Sequence, residues 1–238
     1  MNQPCTASAV LFKRRQFDGE IILLCVRWYL TYKLSYRDVH AMMAERSIDL
    51  AHTTIMRWVQ HYVPEFAKRW QRYARPVGNS WRVDETFITL KGKWVSLYRA
   101  VDTKGQTVDF LLSEHRDIAA AKQFFLQAIT KREVPEKITL DGYAASHEAI
   151  VRLQKEGALP ADLIVRTNRY VNNVIELDHR RVKQRVKPLR GFKRFAHAAI
   201  TITGIELVHQ IKKGQIDVAA LCSPQIRTPQ VWDVVLAA

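Results

Sequence analysis

The chain has 238 residues, enough to bury a real core as one large domain or two small ones. Its formal net charge of +14 points to a polyanionic partner, nucleic acid first and an anionic membrane surface second. No run of about 18 apolar residues provides a membrane span. No secretory signal opens the chain, and Cys5, Cys25 and Cys222 are too scattered for a disulfide framework or a zinc site, so a reduced, cytoplasmic protein is expected.

The charge is unevenly spread. Residues 1–79 carry 12 Lys/Arg against 6 Asp/Glu, residues 80–172 carry 14 against 12, and residues 173–238 carry 11 against 5. Two basic arms therefore flank a nearly neutral middle, where a carboxylate-rich site would fit.

Residues 1–16 are polar and patternless and read as a mobile arm. Helical periodicity starts after Asp18, with Ile21, Leu24, Cys25 and Trp28 at i, i+3, i+4 and i+7. Ser35-Tyr-Arg-Asp38 is a capping-box pattern that opens a second helix. After the break at Arg46–Leu50, a third helix turns Ile55, Trp58, Val59 and Tyr62 inward and leaves Thr53, Arg57, Gln60 and His61 outward. Three short helices with a tight turn before the third describe a helix-turn-helix, although Ser47 stands where Gly would be easiest and Ala51 where a capping Ser or Thr would help. A plain three-helix bundle used for dimerisation fits the same pattern, and the basic charge with the polar third helix favours DNA binding.

Residues 69–79, with Pro76 and Gly78, read as a linker. Beyond it the period changes to two. Trp81–Leu90, Trp94–Val101 and Gln106–Leu112 predict an antiparallel meander with turns at Lys91-Gly-Lys and Asp102-Thr-Lys-Gly. A helix over Asp117–Lys131, a short buried strand at Lys137–Asp141, a helix over Ser146–Glu156 and a strand at Leu163–Val165 follow. Trp81 and Trp94 are expected in the core, Glu85 in a structural role, Asp102 in a turn and Asp109 on an exposed strand. A helix from Asn173 and a long one over about 195–213 complete the pattern, and the tail beyond Gly214 is weakly patterned.

The helix from Asn173 is unusual. At about 100° per residue, Glu176, His179, Arg180, Lys183 and Lys187 share one face, so one carboxylate sits in a row of cations. Signs on a solvated helix usually alternate. A carboxylate holding a metal beside cations holding a phosphate backbone would explain the row, while an exposed basic helix with one incidental Glu is the plainer alternative. His179 reads equally as a group near that site or as a packing histidine. Asp178 is about 200° from Glu176 and cannot easily share its metal.

The order of elements is that of an α/β ribonuclease H-like fold, a mixed five-stranded sheet with helices, preceded by an all-α domain. Such a fold sets Asp84 on the first strand beside Asp141 at the end of the fourth, with Glu176 on the helix that crosses them. Three converging carboxylates suit a pair of Mg²⁺ ions and phosphodiester chemistry, with Asp84 the candidate to bridge both ions and Mn²⁺ able to substitute.

The motifs Trp-Arg-Val-Asp84-Glu-Thr, Leu-Asp141 and Asn-Asn-Val-Ile-Glu176-Leu-Asp-His, followed by Lys183, resemble bacterial DDE transposases of the insertion-sequence-six family. So do Val-Arg-Trp-Tyr, His-Thr-Thr-Ile-Met-Arg-Trp-Val, Leu-Tyr-Arg-Ala-Val-Asp and Arg-Gly-Phe-Lys, and the likeness covers roughly residues 12–214. The spacing agrees: 34 residues separate Asp141 from Glu176, and Lys183 stands seven after Glu176. The resemblance implies binding of double-stranded DNA at terminal inverted repeats, Mg²⁺-dependent cleavage and transfer of a 3′-hydroxyl to target DNA. It also implies cointegrate products and a homodimer or larger assembly on DNA in a bacterial cytoplasm. Asp84, Asp141 and Glu176 would be the catalytic and metal-binding residues. Lys183, Arg180, Lys187 and His179 would contact DNA at the site, and Arg57, Thr53 and Gln60 would do so from the third helix. The expected divisions are an arm at 1–16, the helix-turn-helix at 17–68, the linker at 69–79, the catalytic domain at 80–194 and a C-terminal helix and tail at 195–238. A junction resolvase of the same fold, or a helix-turn-helix regulator with a ligand-sensing α/β domain, remains the alternative from the residues alone.

Overall fold

A computed structural model describes residues 11–12, 16–168, 173–187, 192–217 and 231–232 of the chain. It resolves into two compact units, Met1–Arg75 with Pro188–Arg190 and Ala196–Ala238, and Pro76–Lys187 with Gly191–Phe195.

The first unit is helical. α1 (Gly19–Thr31) starts at Asp18, whose carboxylate accepts the Glu20 N–H at 3.3 Å, and buries Ile22, Cys25, Val26 and Tyr29 along one face. α2 (Tyr36–Ala44) opens on the reciprocal box read in the sequence: the Ser35 N–H donates to Asp38 at 2.7 Å and the Asp38 N–H to the Ser35 hydroxyl at 3.2 Å. Ser47 in the following turn holds φ 59°, a left-handed conformation in which glycine would be unstrained. α3 (His52–Gln71) begins at Ala51 with no side-chain cap and runs 20 residues through Pro64. It therefore extends into the expected linker. Behind it Ala74 bridges Ile216, and the Arg75 N–H donates to the Gln215 carbonyl at 2.8 Å.

α7 (Phe195–Lys212) packs into this same unit. A Cβ on Gly204 would lie 2.5 Å from a Leu30 methyl and 3.1 Å from Val63, so only glycine permits that approach. Phe12, in the arm expected to be mobile, is buried, with its ring 5.0 Å from that of Tyr62. Most of that arm (1–10, 13–15) lies outside the described residues. In the tail, Trp232 is buried against Phe66 and Trp70. Among the described residues no helix is long and apolar enough to cross a membrane.

The second unit is a five-stranded mixed sheet in the order β3-β2-β1-β4-β5. β1 (Ser80–Leu90), β2 (Lys93–Asp102) and β3 (Thr107–Ser113) form the expected meander, and β4 (Lys137–Leu140) and β5 (Ile164–Thr167) run parallel to β1. α4 (Ile118–Lys131) and α5 (Ala144–Lys155) cover one face, closing a core of Trp81, Val83, Tyr98, Phe124, Phe125, Ile138, Ile150 and Leu153. α6 (Asn173–Val186) contacts β1 and β2. The fold is the ribonuclease H-like α/β arrangement expected from the element order.

Two readings of single residues change, and a third is extended. Trp94 is 68% exposed, not core. Asp109 is buried, and Lys131 (2.9 Å) and Gln127 (2.8 Å) donate to it from α4. Asp102 is buried as well as being the turn residue, accepting the N–H groups of Gly78, Lys104 and Gln106 at 2.8–2.9 Å. Each pairing partner lies outside the local window in which strand and turn patterns are read, save for the two turn amides.

Candidate active site

β1 changes its buried face halfway along. Trp81 and Val83 are buried under α4 and α5, but beyond Asp84 it is Thr86, Ile88 and Leu90 that are buried, on the opposite face. The exchange arises where β4 ends at Leu140, paired with Val83, while β1 and β2 continue, with β3 alongside as far as the Ser96–Ser113 pair, to the Leu90–Lys93 rung. Asp84 on β1 and Asp141, the residue after β4, each stand one residue past that last parallel rung. This is the adjacency expected of them.

Their surroundings hold both carboxylates in place. Asp84 accepts the Glu85 N–H on Oδ1 at 2.8 Å, and its side chain is 15% exposed. Asp141 Oδ1 accepts the Tyr143 N–H at 3.0 Å, and a His147 ring nitrogen lies 3.0 Å from the Asp141 carbonyl oxygen. Glu176 belongs to the first turn of α6, and its side chain lies outside the described residues.

α6 is seated by charge. Arg99 on β2 pairs with Asp84 in the strand register and is fully buried, and its guanidinium lies 3.4 Å from Asp178 on α6. One residue on, His179 is buried with Nδ1 3.5 Å from Asp84 Oδ2. Burial, then the cations Arg99 and Lys183, lower the His179 pKa to about 3, so the ring is neutral at ordinary pH. A buried ring facing a carboxylate has no surface to offer a phosphate, and this corrects the expectation that His179 contacts DNA. Arg180, Lys183 and Lys187 are exposed.

Glu85, on the opposite face, is a structural anchor. Its side chain is 3% exposed, Ser146 on α5 donates to one oxygen at 2.6 Å and Arg116 to the other at 2.7 Å. Burial still raises its carboxyl above the ordinary value, with Ser146 and Arg116 pulling the other way. The anchor joins β1 to the start of α5, just after Asp141.

In the helical unit, Thr53 and Arg57 are exposed on α3. Gln60 is not outward: its amide atoms are shielded from solvent beside the Tyr36 hydroxyl. An i+3 step from Arg57 brought Gln60 round toward α2, which the single-helix pattern does not reveal.

The sequence reading missed Arg99 as the seat of α6 and Arg116 as the partner of Glu85. Arg99 left a signal, a lone cation inside the apolar run Val95–Val101, which a buried strand tolerates only with a carboxylate opposite. Arg116, in a loop 31 residues from Glu85, left none.

A family model described as a DDE domain matches residues 78–215. The transposase for insertion sequence-like element IS431mec of Staphylococcus aureus is 36% identical over 202 residues, spanning 85% of this chain and 88% of that protein. The chain belongs to the insertion-sequence-six family of DDE transposases. A second relative, the transposase for insertion sequence element IS257 in transposon Tn4003 of Staphylococcus aureus, is 35% identical over the same length. Among solved structures, the catalytic core domain of HTLV-2 integrase in complex with magnesium has a TM-score of 0.42 at 18% identity, covering 67% of this chain and 98% of that one. The catalytic core domain of BIV integrase has the same TM-score at 19% identity, covering 55% and 83%. Family membership makes this chain an enzyme that cleaves and transfers DNA strands.

Proposed function

We propose that this transposase binds the terminal inverted repeats of its own insertion sequence and joins the 3′-hydroxyl ends to target DNA, giving cointegrates. The observation that carries the reading is the pair Asp84 and Asp141, one step past the last rung of β1 and β4, beside a helix that Asp178 and Arg99 hold against β2. The donor set, carboxylate oxygens, fits a hard divalent cation. Asp84, Asp141 and Glu176 would hold two Mg²⁺ ions, with Mn²⁺ able to substitute, and the ions would activate the attacking oxygen and stabilise the leaving one.

The chain's own residues do the rest. His179, neutral, can donate its Nδ1–H toward Asp84 and fix the carboxylate's orientation, as partners behind a metal ligand do. Arg180, Lys183 and Lys187 bind backbone phosphates and hold the strand end in register without reading sequence. Thr53 and Arg57 face the major groove of the terminal repeat. The working form is a homodimer or larger assembly on DNA in the bacterial cytoplasm.

A strand-transfer assay with pre-cut repeat ends, a plasmid target and Mg²⁺ tests this. Joined product is expected from the parent and none from Asp84→Asn, Asp141→Asn or Glu176→Gln, each of which still binds repeat DNA. Product that survives chelation of the metal, or survives in Asp84→Asn, overturns the carboxylate–metal mechanism.

A further inference from the structure

The β1–β2 ribbon carries a feature that the carboxylate site does not use. Past Asp84 its one face is buried by Thr86, Ile88 and Leu90, and Leu90 is bridged by Phe192, whose carbonyl accepts the Lys91 N–H at 2.9 Å. The other face presents Phe87, 41% exposed, and Trp94, 68% exposed, with ring centroids 6.2 Å apart at 71°. The Arg116 guanidinium lies 5.2 Å from the Phe87 ring and 3.7 Å from that of Tyr143, two residues after Asp141. Exposed Lys91 and Lys93 flank the ribbon's turn. Arg116 is fixed there by Glu85 and by the stacked Tyr143, whose hydroxyl donates to the Arg116 carbonyl at 2.7 Å.

We propose that Phe87 and Trp94 form a stacking shelf for an unpaired DNA base next to the cut strand, with Arg116, Lys91 and Lys93 holding the adjoining phosphates. Exposed aromatic side chains that touch each other inside a polar rim are the kind of surface that marks an interaction site. Its rim is cationic, which selects an anionic partner, and every nucleic-acid base offers a flat π-face to an aromatic ring. Bases inside a duplex are already stacked, so the shelf takes one that is out of the helix. Phe87 is three residues, about 10 Å, along β1 from Asp84; it lies on the Glu85 face, opposite Asp84, where Arg116 brings it beside Tyr143, two residues after Asp141. Rigid strands carry both rings, so little ordering is lost on binding. The assignment deepens the transposase reading and rests on it for the identity of the DNA.

The test is binding of the full-length protein to three fluorescein-labelled duplexes of one sequence: blunt, tailed with unpaired dT, and tailed with abasic residues that keep the phosphates. The parent should bind the dT tail more tightly than the abasic tail at fixed salt. Trp94→Ala should lose roughly 5- to 150-fold on the dT tail, and less than about twofold on the other two. Phe87→Ala should behave alike, and Trp94→Phe should keep most of the affinity. Lys93→Ala should instead weaken dT-tailed and abasic-tailed DNA equally. A parent that does not distinguish dT from abasic tails overturns the shelf, as does a Trp94→Ala loss of equal size on all three. A Trp94→Ala change in the sedimentation of the DNA-free protein, with unchanged dT-tail affinity, would reassign the patch to a contact between copies of the chain. Strand transfer by the parent is scored separately. Base-dependent binding without strand transfer would keep the shelf and remove the transposase reading.

Discussion

Asp84 and Glu85 stand side by side on β1, point to opposite faces of the sheet and meet opposite surroundings. Both oxygens of Glu85 are taken by donors from α5 and the loop before α4, and the group is all but sealed from solvent. Asp84 keeps more exposure, accepts the backbone N–H that follows it on one oxygen, and has the His179 ring 3.5 Å from the other. The two residues differ by one methylene, so the difference lies in what the fold brings to each. A carboxylate already satisfied by a serine hydroxyl and a guanidinium holds the scaffold. One whose second oxygen faces a neutral ring beside another aspartate can accept a metal.

The largest effect should therefore fall on one neighbour and spare the other. Loss of a partner behind a metal ligand typically costs about 10- to 100-fold, and loss of a ligand itself costs more. Asp84→Asn should lower strand transfer by more than about 100-fold, and Glu85→Gln by less than about 10-fold, measured on pre-cut ends with Mg²⁺. Equal losses would erase the distinction between the two faces.

Next in size is the buried pair behind Asp84. Asp178→Ala removes one partner of the buried Arg99, and breaking a buried pair from one side costs about 3–5 kcal/mol. Denaturant unfolding should show that loss, and the double variant Arg99→Met with Asp178→Leu should recover most of it, since an apolar pair carries no desolvation cost. If Asp178→Ala unfolds like the parent, α6 is seated by something else.

The sheet order, the capping box at Ser35 and the Asp84–Asp141 adjacency could all be read from the sequence, because each follows from local period or from the rule that places a fourth strand beside the first. Trp94 could not. Its strand is where the pattern puts it, but whether its first residues are buried depends on where α4 and α5 stop covering the sheet. Asp109 failed for the complementary reason, a strand position made buried by Lys131 and Gln127 arriving from a helix 18 and 22 residues on. Gln60 needed the neighbouring helix to be known. Pattern reading finds elements, and it loses residues wherever cover from another element decides burial.

Smaller effects test the Glu85 side. Glu85→Ala strands Ser146 and Arg116, but Arg116 is 37% exposed and water can replace part of its partner. The cost should be about 1–2 kcal/mol, and Glu85→Gln should cost less because it keeps an acceptor. Burial raises the Glu85 carboxyl above its ordinary 4.5, so between the two values the folded chain binds that proton more tightly than the unfolded chain. Its contribution to stability therefore falls as pH rises through that window, and Glu85→Gln should lack this component in melts across pH.

The smallest effect is expected at Lys183, and it separates binding from chemistry. Seven residues on a helix is about 700°, close to two turns, and about 10.5 Å along the axis. Lys183 thus sits too far along α6 from Glu176 to share a metal with it, yet it is exposed and in line with Arg180 and Lys187. Phosphate contacts of this kind add affinity to any sequence. Lys183→Ala should weaken repeat and random DNA alike and lower the slope of log affinity against log salt by about 0.9, one phosphate's worth. Some strand transfer should be lost with it, because a displaced end meets the carboxylates less often. Glu176→Gln should do the reverse, leaving the salt slope as it is and removing the product. Binding of the Lys183→Ala variant that follows the parent across a salt series would show that the cations of α6 face solvent and not a phosphate backbone.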